Sequence, residues 1–184
     1  MPKTETIESR RSTFISAATE QEFIEGDLAE SLRSAYPELF DDDDLKLVQP
    51  NSQPRMLMKN WMAAIDLFQR EGWMSLQDPY FKPSHSAKHT RMRELVPAAV
   101  ADLLTRHASP KAGGEPPNLL AFREGDRGTT EWRFAHVVKN GTSELDPKKL
   151  ELFQSLFELT GQRIWMIQFE VVEGPLRFER LPSR

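Results

Sequence analysis

The 184-residue chain predicts an α+β fold, a mixed sheet flanked by helices in a three-layer-like arrangement, preceded by a helical segment. Two observations predict it. From Gly114 to Val172 the pattern runs strand, turn, strand, helix, strand. From Thr19 to about residue 75 the apolar residues recur at helical spacing instead.

Residues 1–18 are polar and charged without a sustained period, and read as a mobile tail. Thr19 with Glu22 three residues on forms a capping-box pattern, and Ile24, Leu28, Leu32 and Ala35 follow on one helical face up to Pro37. Asp41 to Asp44 lack the alternation, glycine and distal glutamate of a calcium loop. They read as a solvated turn whose last aspartates cap a short helix. Residues 55–70 form a second helix, with Leu57, Trp61, Ile65 and Phe68 on one face and Met56, Met58 and Met62 widening it. That stripe is core or a partner surface. Gly72 closes the helix.

The segment Asp78-Pro-Tyr-Phe-Lys-Pro-Ser84 reads as a linker. The organisation expected is thus a tail over 1–18, a helical region over 19–85 and an α/β domain over 86–184. His85 and His89 are four apart, but a zinc site needs further ligands, and the flanking Ser84, Ser86, Lys88 and Arg91 suggest a polar lead-in. A helix over 93–107 carries Leu95, Ala99, Val100, Leu103 and Leu104. Pro97 inside it costs about 3 kcal/mol unless it lies in the first turn, so the regular helix starts near Arg93 to Val96 or kinks there.

Strands follow at 118–123 and 132–139, joined by the turn Gly125-Asp-Arg-Gly128. Alternation in the second places Arg133, Ala135, Val137 and Lys139 on one face, and Trp132, Phe134, His136 and Val138 on the other. Asn140-Gly141 is a turn pair. Asp146-Pro147 caps a helix over 146–160, and Gly161 ends it. Trp165, Ile167, Phe169 and Val171 alternate along a strand at 163–172. An edge strand is expected at 175–181.

Absent cysteine excludes disulfides, thiol chemistry and cysteine zinc sites. No apolar run is long enough for a membrane helix and the first residues carry no signal-peptide pattern, so a cytoplasmic protein is expected. Residues 1–85 hold 15 acidic and 9 basic residues, net −6. Residues 86–184 hold 13 and 15, net +2, so any basic face belongs to the second half. Glycine-rich phosphate loops and nucleophile elbows are missing.

The stretch Pro117-Asn118-Leu119, then Val137-Val138-Lys139, then Leu145-Asp146 and a helix, then a strand, resembles the VRR-NUC branch of the PD-(D/E)XK nucleases, over roughly residues 90–180. The family pattern has Pro-Asp-Leu, Glu-x-Lys and a preceding acidic helix. The resemblance implies a catalytic set of Glu94, Asn118, Val137 and Lys139, with two of the four positions substituted. It also implies an Mg²⁺ or Mn²⁺ cofactor if the chain is active. Mg²⁺ takes oxygen ligands, mostly charged. Asn118 offers one neutral oxygen and Val137 none, so Glu94 and Asn118 would hold a metal weakly. Glu94 also reads as an exposed acid favouring a helix dipole. Arg91, Arg93, Lys111 and Lys148 are the candidate nucleic-acid contacts.

Three functions follow as expectations. One is a nuclease-like protein impaired in metal-dependent phosphodiester cleavage that binds DNA or a partner. Another is an active nuclease with a relocated acid, from Glu124, Asp126 or Glu131, or with His136 at the site after a one-residue register shift. The last is a protein–protein module using the Met/Trp helical surface.

Overall fold

The structure, a computed structural model, describes residues 6–25, 27–48, 54–107, 109, 114–139 and 145–172. Five strands form one mixed sheet in the order β1-β5-β4-β3-β2. They are β1 (Ile7–Ser16), β2 (Met74–Gln77), β3 (Leu119–Glu124), β4 (Thr130–Lys139) and β5 (Ile164–Val172). The β2, β3 and β4 strands run as an antiparallel meander, while β4, β5 and β1 are parallel. Helices α1 (Ala17–Glu25), α2 (Asp27–Ala35), α3 (Asp42–Leu47) and α4 (Pro54–Glu71) precede β2. Helices α5 (Ser86–Leu95) and α6 (Ala98–Arg106) lie between β2 and β3, and α7 (Pro147–Thr160) links β4 to β5. The architecture is mixed α+β.

Strand alternation divides the core into two layers. Leu119, Ala121, Ala135, Val137, Trp165, Ile167 and Phe169 face α1, α2 and α4. Leu120, Phe122, Phe134 and Ile164 face α5, α6 and α7. In the first layer Trp61 stacks on Phe40 at 3.9 Å between centroids and takes the edge of Phe23 at 5.4 Å. Met58, Trp61, Met62 and Ile65 are all buried there. These four residues of the Met/Trp stripe are therefore core, with Leu57 and Phe68 partly buried beside them.

Several expectations are corrected. The tail expected over 1–18 contains β1, which pairs with β5 along its length, with a register shift between Ser9 and Arg11. Its polar sequence suits an edge strand, where charge discourages pairing with other chains. The boundary expected at 78–84 does not divide the sheet, because β2 pairs with β3 across it. The single helix expected from Thr19 is two, α1 and α2, and α1 begins before Thr19. In the aspartate run it is Asp41, the first, that caps α3, in a reciprocal capping box with Asp44. Asp44 is buried and forms an ion pair with Lys88 of α5, which also reaches Gln77 at 3.3 Å. The helix expected over 93–107 is broken at Val96-Pro97: α5 ends at Leu95 and Pro97 precedes the first residue of α6. Proline restricts the residue before it to extended backbone, and Val96 adopts that conformation.

Helix α7 follows its sequence signals. Asp146 accepts a hydrogen bond from the Lys148 backbone N–H at 2.8 Å, Pro147 takes the first turn, and Gly161 ends the helix at φ 67°. The strand expected at 175–181, the Asn140-Gly141 turn and Lys111 lie outside the described residues. Among the described residues, no helix is long and apolar enough to cross a membrane.

Candidate functional site

Three of the positions implied by the nuclease resemblance, Glu94, Asn118 and Val137, do not bring their side chains together. Asn118 immediately precedes β3 and is 4% exposed. Its side-chain Oδ1 accepts the Val137 backbone N–H at 2.8 Å, and its own carbonyl accepts the Asp78 N–H at 2.8 Å. The neighbouring Pro117 carbonyl takes the Tyr80 hydroxyl at 3.0 Å. Proline has no N–H for the ladder. Where Pro116 and Pro117 stop ordinary pairing, the Asn118 amide thus extends the β3–β4 ladder by a side-chain bond.

The Val137 side chain is fully buried in the α4-side core. Continuing the register Leu119↔Ala135 by one pair sets Asn118 opposite His136, on the α7 face. Adjacent ligands on two strands must share a face. His136, not Val137, therefore stands beside Asn118, and the β3–β4 register is continuous, so no bulge is needed to bring it there. Glutamate at position 137 would be directed into the apolar core.

Glu94 is a further correction. It lies in the last turn of α5, not at a helix entrance. It is mostly exposed and bonded to Arg91 at 2.9 Å. Arg91 sits over the Phe122 ring at 5.4 Å. Phe122 is four residues along β3 from Asn118, about 13 Å of extended chain. Arg93 pairs with Asp102 of α6 at 2.9 Å. Lys139 is the last residue of β4, with its backbone opposite Phe169. Lys148 is exposed at the start of α7.

The relocated acids fare no better. Glu124, Asp126 and Glu131 flank the β3–β4 turn, five or more register positions from Asn118, which is about 17 Å or more along the strands. Glu131 is bonded there to Arg123 at 2.9 Å, and Arg123 stacks over Trp73 at 4.2 Å. A resident metal ion does not fit the expected positions. The Asn118 oxygen is engaged by a main-chain N–H, Val137 faces the core, and Glu94 is remote. His85 stands at the N-cap position of α5, and one turn on His89 Nε2 meets Thr105 Oγ1 at 3.1 Å.

A different polar group does gather where β2 and β4 end and β3 begins. It was missed in sequence because its members come from five separate elements. Asp78 follows β2. Glu115 lies in the loop before β3. His136 is near the end of β4, Lys59 is in α4, and Lys149 is in the first turn of α7. Gly114 makes this packing possible. Its φ is 75°, and a Cβ there would stand 2.6 Å from the Lys148 carbonyl oxygen, so the loop can press on α7 only without a side chain. Glu115 then reaches Lys149 Nζ at 3.4 Å. Lys149 is 15% exposed, unlike its neighbour Lys148, and sits one turn before Phe153. Phe153 packs edge-on against the His136 ring, 5.4 Å away.

The electrostatics of this group follow from burial. Burial pushes the Asp78 carboxyl up to about 6, with Lys82 opposing and Glu115 reinforcing. Burial also lowers the Lys59 ammonium, and the neighbouring charge of Lys149 lowers it further, against Glu115 and Asp78. His136 is held well below the usual imidazole range by burial and by Lys149 and Lys59, so it is neutral at pH 7. Its Nδ1 is buried with no hydrogen-bond partner among the described residues.

No family model matches the chain, and neither a curated protein nor a solved structure matches it.

Proposed function

We propose that this chain is a nuclease-like protein, related to the VRR-NUC branch of the PD-(D/E)XK enzymes, that has lost metal-dependent phosphodiester cleavage and binds nucleic acid. The observation that carries the reading is the Asn118–Val137 hydrogen bond. At the position where the family keeps a metal-binding aspartate, this chain has an amide used to complete the sheet. The order of elements from β3 to β5 supports the relationship. Two half-buried lysines at the same end of the sheet support binding of a polyanion. Fold likeness alone would not carry an activity, and the side chains present supply no charged oxygen set for Mg²⁺ or Mn²⁺ at those positions.

The test has two readouts on the full chain. Anisotropy of labelled single-stranded and duplex DNA should report binding that weakens with salt, because bound lysines release condensed counterions. Incubation of plasmid and linear DNA with millimolar Mg²⁺ or Mn²⁺ should leave both intact. Cleavage abolished by chelation would refute the loss of activity. Absence of binding to any nucleic acid at low salt would refute the assigned ligand.

A further inference from the structure

We propose that Asp44, Lys88 and Gln77 form a latch that closes the β2 edge of the sheet by fastening the two helical layers to each other around it.

An edge strand offers unpaired main-chain groups to any other strand, and folds cover or blunt it. The β2 strand is such an edge, paired only with β3 among the described residues. Which of its groups face outward follows from the ladder. The Asp78 N–H meets the Asn118 carbonyl at 2.8 Å, so this pair, one step beyond Gln77↔Leu119, is hydrogen-bonded. Bonded and non-bonded pairs alternate along an antiparallel ladder. Leu76 and Met74 are therefore the residues bonded to β3, and the main-chain groups of Ser75 and Gln77 point away from it. Both outward carbonyls are taken from within the chain. The Gln77 carbonyl accepts the Tyr80 N–H at 3.1 Å, and the Ser75 carbonyl accepts from Gln77 Nε2 at 2.8 Å. An added strand would have to displace them.

The Gln77 side chain is held in turn. Its Oε1 accepts from Lys88 Nζ at 3.3 Å, and Lys88 also donates to Asp44 Oδ1. Asp44 Oδ2 accepts the Asp41 N–H at 3.1 Å, which ties the carboxylate to the cap of α3. Asp44, Lys88 and Gln77 are all buried. They come from three elements. Leu45 of α3 packs in the α4-side core, Met92 and Leu95 of α5 pack in the opposite core, and β2 belongs to the sheet between them. The run of bonds from the Ser75 carbonyl to the Asp41 N–H thus joins one layer to the other beside the last residue of β2.

A buried ion pair of this kind adds little net stability, because two charges leave water to form it. Burial accordingly raises the Asp44 carboxyl, with Lys88 opposing. Removing one partner is a different matter, since the other charge is then left uncompensated. The pair therefore fixes an arrangement: α3 and α5 can part at this place only by separating the two charges.

The experiment uses the full chain, which has no cysteine, so an introduced thiol is the only one. Ser75→Cys places it on the closed edge. Ala135→Cys places it on β4, on the same face of the sheet but away from the edge. The rate of labelling by N-ethylmaleimide, read by intact mass, reports opening at each position. Lys88→Met should raise labelling at position 75 by about tenfold or more and leave position 135 within about threefold of the parent. Asp44→Asn, which keeps the size and removes one charge, should act at the same position in the same direction. It carries the test if the melting temperature shows that Lys88→Met does not fold. Unchanged labelling at position 75 in a folded variant would overturn the latch. So would a parallel rise at both positions, because that reports lost stability of the whole fold rather than the opening of one edge.

Discussion

Asp78 shows how one buried residue sets a measurable pH dependence. Its carboxyl titrates at about 6 in the folded chain against an ordinary 3.8. The folded state therefore holds a proton that the unfolded state has released between those values, and stability falls as pH rises through this window. Above pH 6 the full penalty is present, about 3 kcal/mol at 1.36 kcal/mol per unit. The charges facing it come from Lys59 on α4, Lys88 on α5 and Lys149 on α7, with Lys82 and Glu115 from adjoining loops. His136 works in the other direction: it is kept neutral when folded but protonates when unfolded, so its contribution is lost as pH falls below about 6.5. Because both chains keep that histidine, comparing Asp78→Asn with the parent isolates the carboxyl. We expect the variant to be more stable at pH 7.5 by about 1–3 kcal/mol and equal to the parent near pH 4. Urea melts across pH decide it, and an equal difference at both pH values would show that the carboxyl is not desolvated.

At the scale of elements, α7, β3, β4 and β5 were legible because each carries a local signal. Asp146-Pro147 and Gly161 bound α7, and the alternation of Trp165, Ile167 and Phe169 marks β5. The strands β1 and β2 were not legible: one is polar and the other is four residues long, and both exist only through pairing with partners distant in the chain. The site failed in sequence for the same reason. Alternation in β4 was read correctly, yet the motif comparison paired Asn118 with Val137, whereas the register pairs it with His136. Only cross-strand register distinguishes the two, and a slip of one residue changes the face. The role now assigned to Asn118 is testable. Asn118→Ala removes the acceptor for the buried Val137 N–H. It should cost about 1–3 kcal/mol and abolish slow amide exchange at Val137. Unchanged protection at that amide would show that the bond does not hold the ladder.

On the scale of the whole molecule, the sheet makes the front and back halves of the chain interdependent. Its order puts β1, from the start of the chain, beside β5, and β2, from the centre, beside β3. The α4 layer is completed by both halves, since Trp73 meets Trp165 edge-on at 5.1 Å and Phe23 and Phe40 enclose Trp61. A nuclease-like domain over 86–184 would therefore lack two strands and the whole of one helical layer. Removing residues 1–16 is the sharper test, because it spares every helix. The β5 strand, now bonded on both sides, would become a sheet edge carrying Trp165, Ile167 and Phe169. Edges of that composition pair with other chains. We expect the truncated chain to melt at lower temperature, to lose exchange protection through one side of β5, and to self-associate in sedimentation at tens of micromolar. Backbone pairing with β1 is what covers that edge. A truncated chain that stays monomeric, with β5 protected as before, would show that residues 1–18 are a tail after all.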